Sequence, residues 1–122
     1  MGQIFKNSKK QDFIKKILIV GTGDIALRHY KNILKLNKNY QIDFFTRSLR
    51  KNINHSLKNV NYINNYKEIL KINYYAAILC NPSSHHLKFA IDLGKKGTNL
   101  FIEKPISSGN IKDVIKLLKL SQ

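Results

Sequence analysis

Gly21-Thr22-Gly23-Asp24-Ile25-Ala26 is the first segment of this chain whose residue types and spacing suggest chemistry. A glycine that turns the chain sharply, a second that keeps side chains away from a ligand, and a small residue that lets a helix approach a sheet together suit a pyrophosphate. The main-chain N–H groups of Gly23, Asp24 and Ile25 would then point from a helix N-terminus at phosphate oxygens, with Thr22 in the turn. By itself the string also serves as an ordinary turn. Its meaning depends on what flanks it.

A second segment bears on which dinucleotide would sit there. An acidic residue at the end of the second strand of a dinucleotide fold accepts from both ribose hydroxyls and suits NAD, whereas an arginine there suits the 2′-phosphate of NADP. This chain reads Phe45-Thr46-Arg47-Ser48 at that place. With Thr46 in the acidic position, the Arg47 guanidinium and the hydroxyls of Thr46 and Ser48 can hold a phosphate, which favours NADP over NAD. Asp43 competes for the ribose at about the expected separation, although it stands mid-strand between Ile42 and Phe44.

The elements needed to position these groups are legible in the hydrophobic pattern. Ile17-Leu18-Ile19-Val20 is a β-branched run without polar alternation, the mark of a strand buried on both faces, and it stops at the glycine turn. Ile25, Ala26, Tyr30, Ile33, Leu34 and Leu36 then recur at helical spacing to about Asn37. Ile42–Thr46 and Val60–Ile63 read as strands and Tyr66–Ile72 as a helix. Ala76–Cys80 is a fourth strand broken by Asn81-Pro82, followed by a helix through His86, Phe89, Ala90 and Leu93 to about Lys96. Leu100–Ile102 is a fifth strand. Ser107 or Ser108 can cap a last helix carrying Ile111, Val114, Ile115, Leu117 and Leu118. Alternating strands and helices predict a doubly wound, mainly parallel α/β sheet with helices on both faces, a Rossmann-like domain over residues 14–122. Residues 1–13 are polar and basic and read as a flexible tail or a short leading helix.

Two more segments carry a family resemblance. Ala77-Ile78-Leu79-Cys80-Asn81-Pro82-Ser83-Ser84-His85-His86 resembles the fourth strand and following turn of the Gfo/Idh/MocA oxidoreductases, with a Pro and a His four residues later. Leu100-Phe101-Ile102-Glu103-Lys104-Pro105 is similar to that family's Glu-Lys-Pro signature, and Arg28-His29 resembles its pair in the first helix. The likeness runs from about Lys16 to Ser107. It implies hydride transfer between a nicotinamide cofactor and a hydroxyl or carbonyl carbon, usually of a sugar, a cyclitol or a related metabolite. It also implies that Lys104 is the catalytic group orienting the reacting oxygen and assisting its proton transfer. Glu103 would fix that lysine or contact the cofactor ribose, Pro105 would shape the turn, and Asn81, Pro82 and His86 would line the cofactor cleft. Members of the family carry a second α/β domain that completes the substrate pocket. This sequence ends at Gln122, so the expectation is a domain needing such a partner in cis or trans, or a stand-alone dinucleotide sensor.

Each residue also has a plainer use. Lys104 can be a surface lysine, His86 a packed or capping residue, and His29 a structural one; His85 and His55 read as solvent-facing and Cys80 as a small buried group. The 122 residues carry 22 Lys and Arg against seven Asp and Glu, a formal charge of +15. That excess admits a nucleic-acid footprint, but the basic residues are spread as pairs without a long run, which favours compositional drift and leaves a nucleic-acid partner unexpected. One cysteine excludes an intrachain disulfide and fits a reducing cytoplasm. No apolar run reaches the ~20 residues of a membrane span, so no membrane partner is expected, and no Cys/His cluster has zinc spacing.

Overall fold

Lys16–Val20 forms the central strand β1 because four successive apolar residues can be buried only where both faces of a sheet are covered. Around it, the computed structural model describes residues 14–36, 39–47, 57, 60–81, 83–104 and 111–120. Helix α1 is Asp24–Leu36, followed by β2 (Gln41–Phe45), β3 (Val60–Ile63), α2 (Tyr66–Lys71), β4 (Ala76–Leu79), α3 (Ser83–Lys95), β5 (Asn99–Ile102) and α4 (Ile111–Leu120). The predicted tail at 1–13, and with it Ser48, Pro82, Pro105, Ser107 and Ser108, lie outside the described residues.

The five strands are parallel in the order β3-β2-β1-β4-β5. The chain leaves β1 toward one side and returns to β4 on the other, so strand order reverses at β1, the place where such sheets bind ligands. Opposite Val20 stand Phe45 and Leu79, and beyond these Ile63 and Ile102. One level row therefore closes all five strands, and the residues just past it continue the ladder. Thr46 donates its N–H to Ile63 at 3.0 Å, Gly21 to Phe45 at 2.9 Å, Cys80 to Val20 at 2.9 Å and Glu103 to Leu79 at 3.1 Å.

Side chains alternate between two cores, as the strand period demands. Ile17, Ile19, Ile42 and Phe44 pack against Ala26, Tyr30 and Ile33 of α1. Leu18, Val20, Phe45, Ala77 and Leu79 pack on the opposite face against Ile69 of α2 and Phe89, Ala90 and Leu93 of α3, with Leu117 of α4 at the margin. The sequence pattern for α1 included Leu34 and Leu36, yet Leu36 is 82 % exposed. The buried stripe is Ala26, Tyr30 and Ile33, spaced four and three residues apart, and Leu36 falls off that face. Helix α3 ends where Gly97 adopts φ +81°, with Gly97 N–H donating to Gly94 at 3.0 Å and Thr98 N–H to Leu93 at 3.2 Å. This is a Schellman stop, which favours glycine at its left-handed residue.

Asp43 is a buried charge in this frame, 2 % exposed. Its carboxylate accepts from the Tyr74 hydroxyl at 2.6 Å and from the Asn61 amide at 3.2 Å. On the same side of the sheet, the Tyr66 hydroxyl donates to Asp92. Burial first, and then the adjoining carboxylate, holds both phenols above their ordinary value of 10.0. Below that value both tyrosines are protonated whether folded or unfolded, and above it only the unfolded chain ionises readily. The unfolded state then binds fewer protons, so stability falls as pH rises from about 10 upward. Urea unfolding of Tyr74→Phe near neutral pH is expected to show a loss of about 1–3 kcal/mol, because Asp43 stays buried with one donor fewer. The Tyr66→Phe, Tyr74→Phe double variant should show a shallower alkaline decline.

Candidate functional site

The row of strand ends sets out the site. Because Gly21 N–H is bonded to Phe45 and Cys80 N–H to Val20, the glycine turn lies between the exits of β2 and β4. Gly21 has φ +111°, and a Cβ there would stand 3.3 Å from both the carbonyl carbon and oxygen of Cys80. Backbone conformation and space both require glycine. Gly23 differs: a Cβ there would meet nothing within 4 Å, and its carbonyl accepts Leu27 N–H at 3.1 Å to open α1. Its missing side chain leaves room beside a helix N-terminus, where an anion is favoured. Ala26 is fully buried against the sheet, as the third small position requires.

A cleft of about 330 Å³ opens over this turn. Gly21, Thr22, Gly23, Thr46, Arg47 and Asn81 line it, joined by Val20, Phe45, Cys80, His85 and Phe89. Its floor is aromatic: Phe45 and Phe89 meet edge to face at 5.4 Å, and Phe89 meets Tyr66 at 4.9 Å. One polar group in the wall is unsatisfied. Among the described residues Asn81 Oδ1 is buried with no hydrogen-bond partner, so it calls for a donor from outside them.

Other expected residues stand elsewhere. Asp24 and Ile25 enter the expectation through their main-chain N–H groups, which stand in the first turn of α1; the Asp24 side chain is exposed toward a separate hollow with Arg28, Lys31 and Lys35, and the Ile25 side chain is half-buried. His86 is 2 % exposed and its Nε2–H donates to the Asn81 carbonyl, so it fixes the start of α3 from beneath instead of lining the cleft. Glu103 pairs with His29 Nε2 at 2.5 Å, binding the end of β5 to α1. His29 also sets its ring against Phe101 at 5.3 Å. Lys104, the next residue, is exposed and outside the cleft lining. Asp43, the alternative for the ribose, is committed to Tyr74 and Asn61 below the strand ends.

Sequence reasoning missed His85, read as solvent-facing. It is half-buried in the cleft wall, where Arg47 Nη2 donates to its Nδ1 at 3.3 Å. Phe89 was visible as part of a helix stripe, without a signal that the same ring also floors the cleft. Cys80 lines it too, and its thiol is pushed up to about 12, by burial first and then by the Glu103 carboxylate. That shift opposes the thiolate a nucleophile needs. Among the described residues, no group of three or more His, Cys, Asp or Glu could hold a metal, and no helix is long and apolar enough to cross a membrane.

The sequence profile of the GFO_IDH_MocA oxidoreductase family, NAD-binding Rossmann fold, matches residues 15–122. The chain belongs to the Gfo/Idh/MocA oxidoreductase family. What it carries is the NAD-binding Rossmann domain of that family. Comparison with functionally curated proteins found no match. Among solved structures, myo-inositol 2-dehydrogenase from Lactobacillus plantarum superposes with a TM-score of 0.74 at 20% identity, over 88% of this chain and 32% of its own. The WlbA dehydrogenase from Bordetella pertussis, in complex with NADH and UDP-GlcNAcA, superposes at 0.72 and 20% identity, over 87% of this chain and 32% of its own. A probable dehydrogenase from Thermotoga maritima gives 0.68 at 23%, again over 87% and 32%. The chain thus spans about a third of the length of these neighbours, which share its fold.

The two glycines separate folding from binding. Gly21→Ala is expected to lose about 1–3 kcal/mol in urea unfolding from the forced backbone conformation alone. Gly23→Asp places a good helix-capping residue in open space, so its melting temperature should stay near that of the parent while dinucleotide binding disappears. For Cys80, alkylation by iodoacetamide at pH 8 should run more than about tenfold slower than for a free cysteine, whose thiol ionises near 8.5.

Proposed function

We propose that this chain is the cofactor-binding part of an NAD(P)-dependent oxidoreductase that moves a hydride between a nicotinamide and a hydroxyl or carbonyl carbon of a sugar-like metabolite, with NADP the preferred cofactor. The observation that carries the binding half is the single cleft that joins the Gly21–Gly23 turn, Arg47 and the orphaned Asn81 oxygen. Family membership carries the chemistry, and the WlbA neighbour described with NADH and a sugar nucleotide supports it.

The residues fit the group. Gly23 leaves open space beside main-chain N–H donors for a pyrophosphate, and Asn81 Oδ1 supplies an acceptor that the described protein does not satisfy. Thr46 and Arg47 stand where the adenosine ribose is held in such folds. With no carboxylate among the described residues that line the cleft, a guanidinium suits a 2′-phosphate better than two hydroxyls. The nicotinamide, when bound, supplies or takes the hydride. Lys104, just past β5, is the catalytic group that would orient the reacting oxygen and hold or release its proton. Glu103, fixed by His29, anchors the backbone from which Lys104 extends. The walls of a substrate pocket would come from a second domain, in cis or in trans, and turnover by this chain alone is not expected.

A second reading has one observation in its favour: Lys104 does not line the cleft. A dinucleotide sensor or interaction module would bind NADP yet stay inactive with any partner domain. Thermal-shift titrations with NAD and NADP test the first step common to both, since a bound ligand raises the melting temperature by mass action. NADP should shift the parent more than NAD does, and Arg47→Ala should remove the difference. Tighter NAD binding unaffected by Arg47→Ala would overturn the NADP preference, and no shift with either cofactor would overturn both readings.

A further inference from the structure

Arg47 and His85 reach the same side of the cleft from elements 38 residues apart. Arg47, exposed at the end of β2, donates from Nη2 to His85 Nδ1 at 3.3 Å. A guanidinium has no acceptor, so Nδ1 offers its lone pair and the imidazole proton resides on Nε2. Only one of the five guanidinium N–H donors is used in this contact. Among the described residues no other contact takes the rest, which can serve a ligand.

An exposed arginine has many rotamers and loses most of that freedom on gripping a phosphate. A side chain already held in place loses less, and binding gains accordingly. His85 is suited to hold it. Its helix is fixed at the start by the neighbouring His86, which is buried and bonded to the Asn81 carbonyl, so His85 is carried on a braced turn. Both partners of the contact line the cleft that contains the glycine turn, which distinguishes it from an incidental surface pair.

We propose that His85 is a positioning residue that sets cofactor specificity: by accepting a hydrogen bond from Arg47 it holds the guanidinium ready for the 2′-phosphate of NADP. The inference rests on the reading of the cleft as a dinucleotide site that prefers NADP. It assigns the preference to a pair, not to Arg47 alone. Removing either member should therefore lower affinity for NADP while affecting NAD little, and removing both should cost no more than removing Arg47.

Isothermal titration of NADP and NAD into the parent chain, His85→Leu, His85→Gln, Arg47→Ala and the Arg47→Ala, His85→Leu double variant tests this. His85→Leu should weaken NADP about fivefold, within the range of coupling between contacting residues, and leave NAD within about twofold. His85→Gln offers an amide oxygen to Arg47 and should recover part of the preference; as a polar replacement it also controls for any folding defect in the leucine variant. An unchanged NADP-to-NAD ratio in His85→Leu would overturn the inference while leaving the NADP reading intact. Equal weakening of both cofactors in the leucine and glutamine variants would reduce His85 to a structural role, and additive losses in the double variant would overturn the coupling to Arg47. A parent chain with no preference for NADP would remove the underlying reading, and the inference with it.

Discussion

Five parallel strands brought to one level impose the constraint on which this molecule depends. Ile63, Phe45, Val20, Leu79 and Ile102 stand side by side, and each hydrogen bond past that row hands one strand's exit to its neighbour. A parallel ladder fixes direction as well as spacing, so every connection out of the sheet leaves from the same edge. The glycine turn, Thr46, Cys80 and Glu103 thereby become neighbours although they are separated by as many as 82 positions in the chain. None of these residues needs to attract another. The sheet brings them together.

On that edge the site is built from two kinds of support. The strand exits place backbone: the turn at Gly21 fits only because it lies against the Cys80 carbonyl group without a side chain between. Helix α3 places side chains, with His86 tied beneath the Asn81 turn, His85 meeting Arg47 above it and Phe89 completing the aromatic floor. Cys80 and Glu103 show the electrostatic side of the same crowding. A thiol beside a carboxylate in a partly buried wall stays protonated, so this stretch of the cleft presents a neutral sulfur to whatever lies against it.

The sequence pattern predicts the strands to within a residue or so because each is an apolar run cut by a glycine, a proline or a polar turn, and those signals are local. Gly21, Gly23 and Ala26 are legible for the same reason, their roles following from the absence of side chains. Contacts made across the fold are not legible. Nothing near His85 announces an arginine 38 residues earlier, and a histidine in the first turn of a helix is ordinarily wet. Glu103 beside Lys104 suggests a pair along the chain, whereas its partner is His29, 74 residues away, because β5 runs out beside α1. His86 illustrates the converse: its place in a recognisable motif points to the cleft, but burial and the Asn81 carbonyl turn it inward.

The polar bridge between Asp43 and Tyr74 has a bearing on how the chain finds its alignment. Strand β2 is apolar on either side of Asp43, so Ile42, Phe44 and Phe45 would accept more than one offset against β1 with little loss of contact. A slip of one residue would carry Asp43 to the other face, among Ile17, Ile19, Tyr30 and Ile33, away from the Tyr74 hydroxyl and the Asn61 amide that now donate to it. A bare carboxylate in that setting is costly enough to make the shifted pairing a poor competitor. Asp43, which contributes nothing to the cleft directly, thus acts as a proofreading residue for the alignment that the cleft requires.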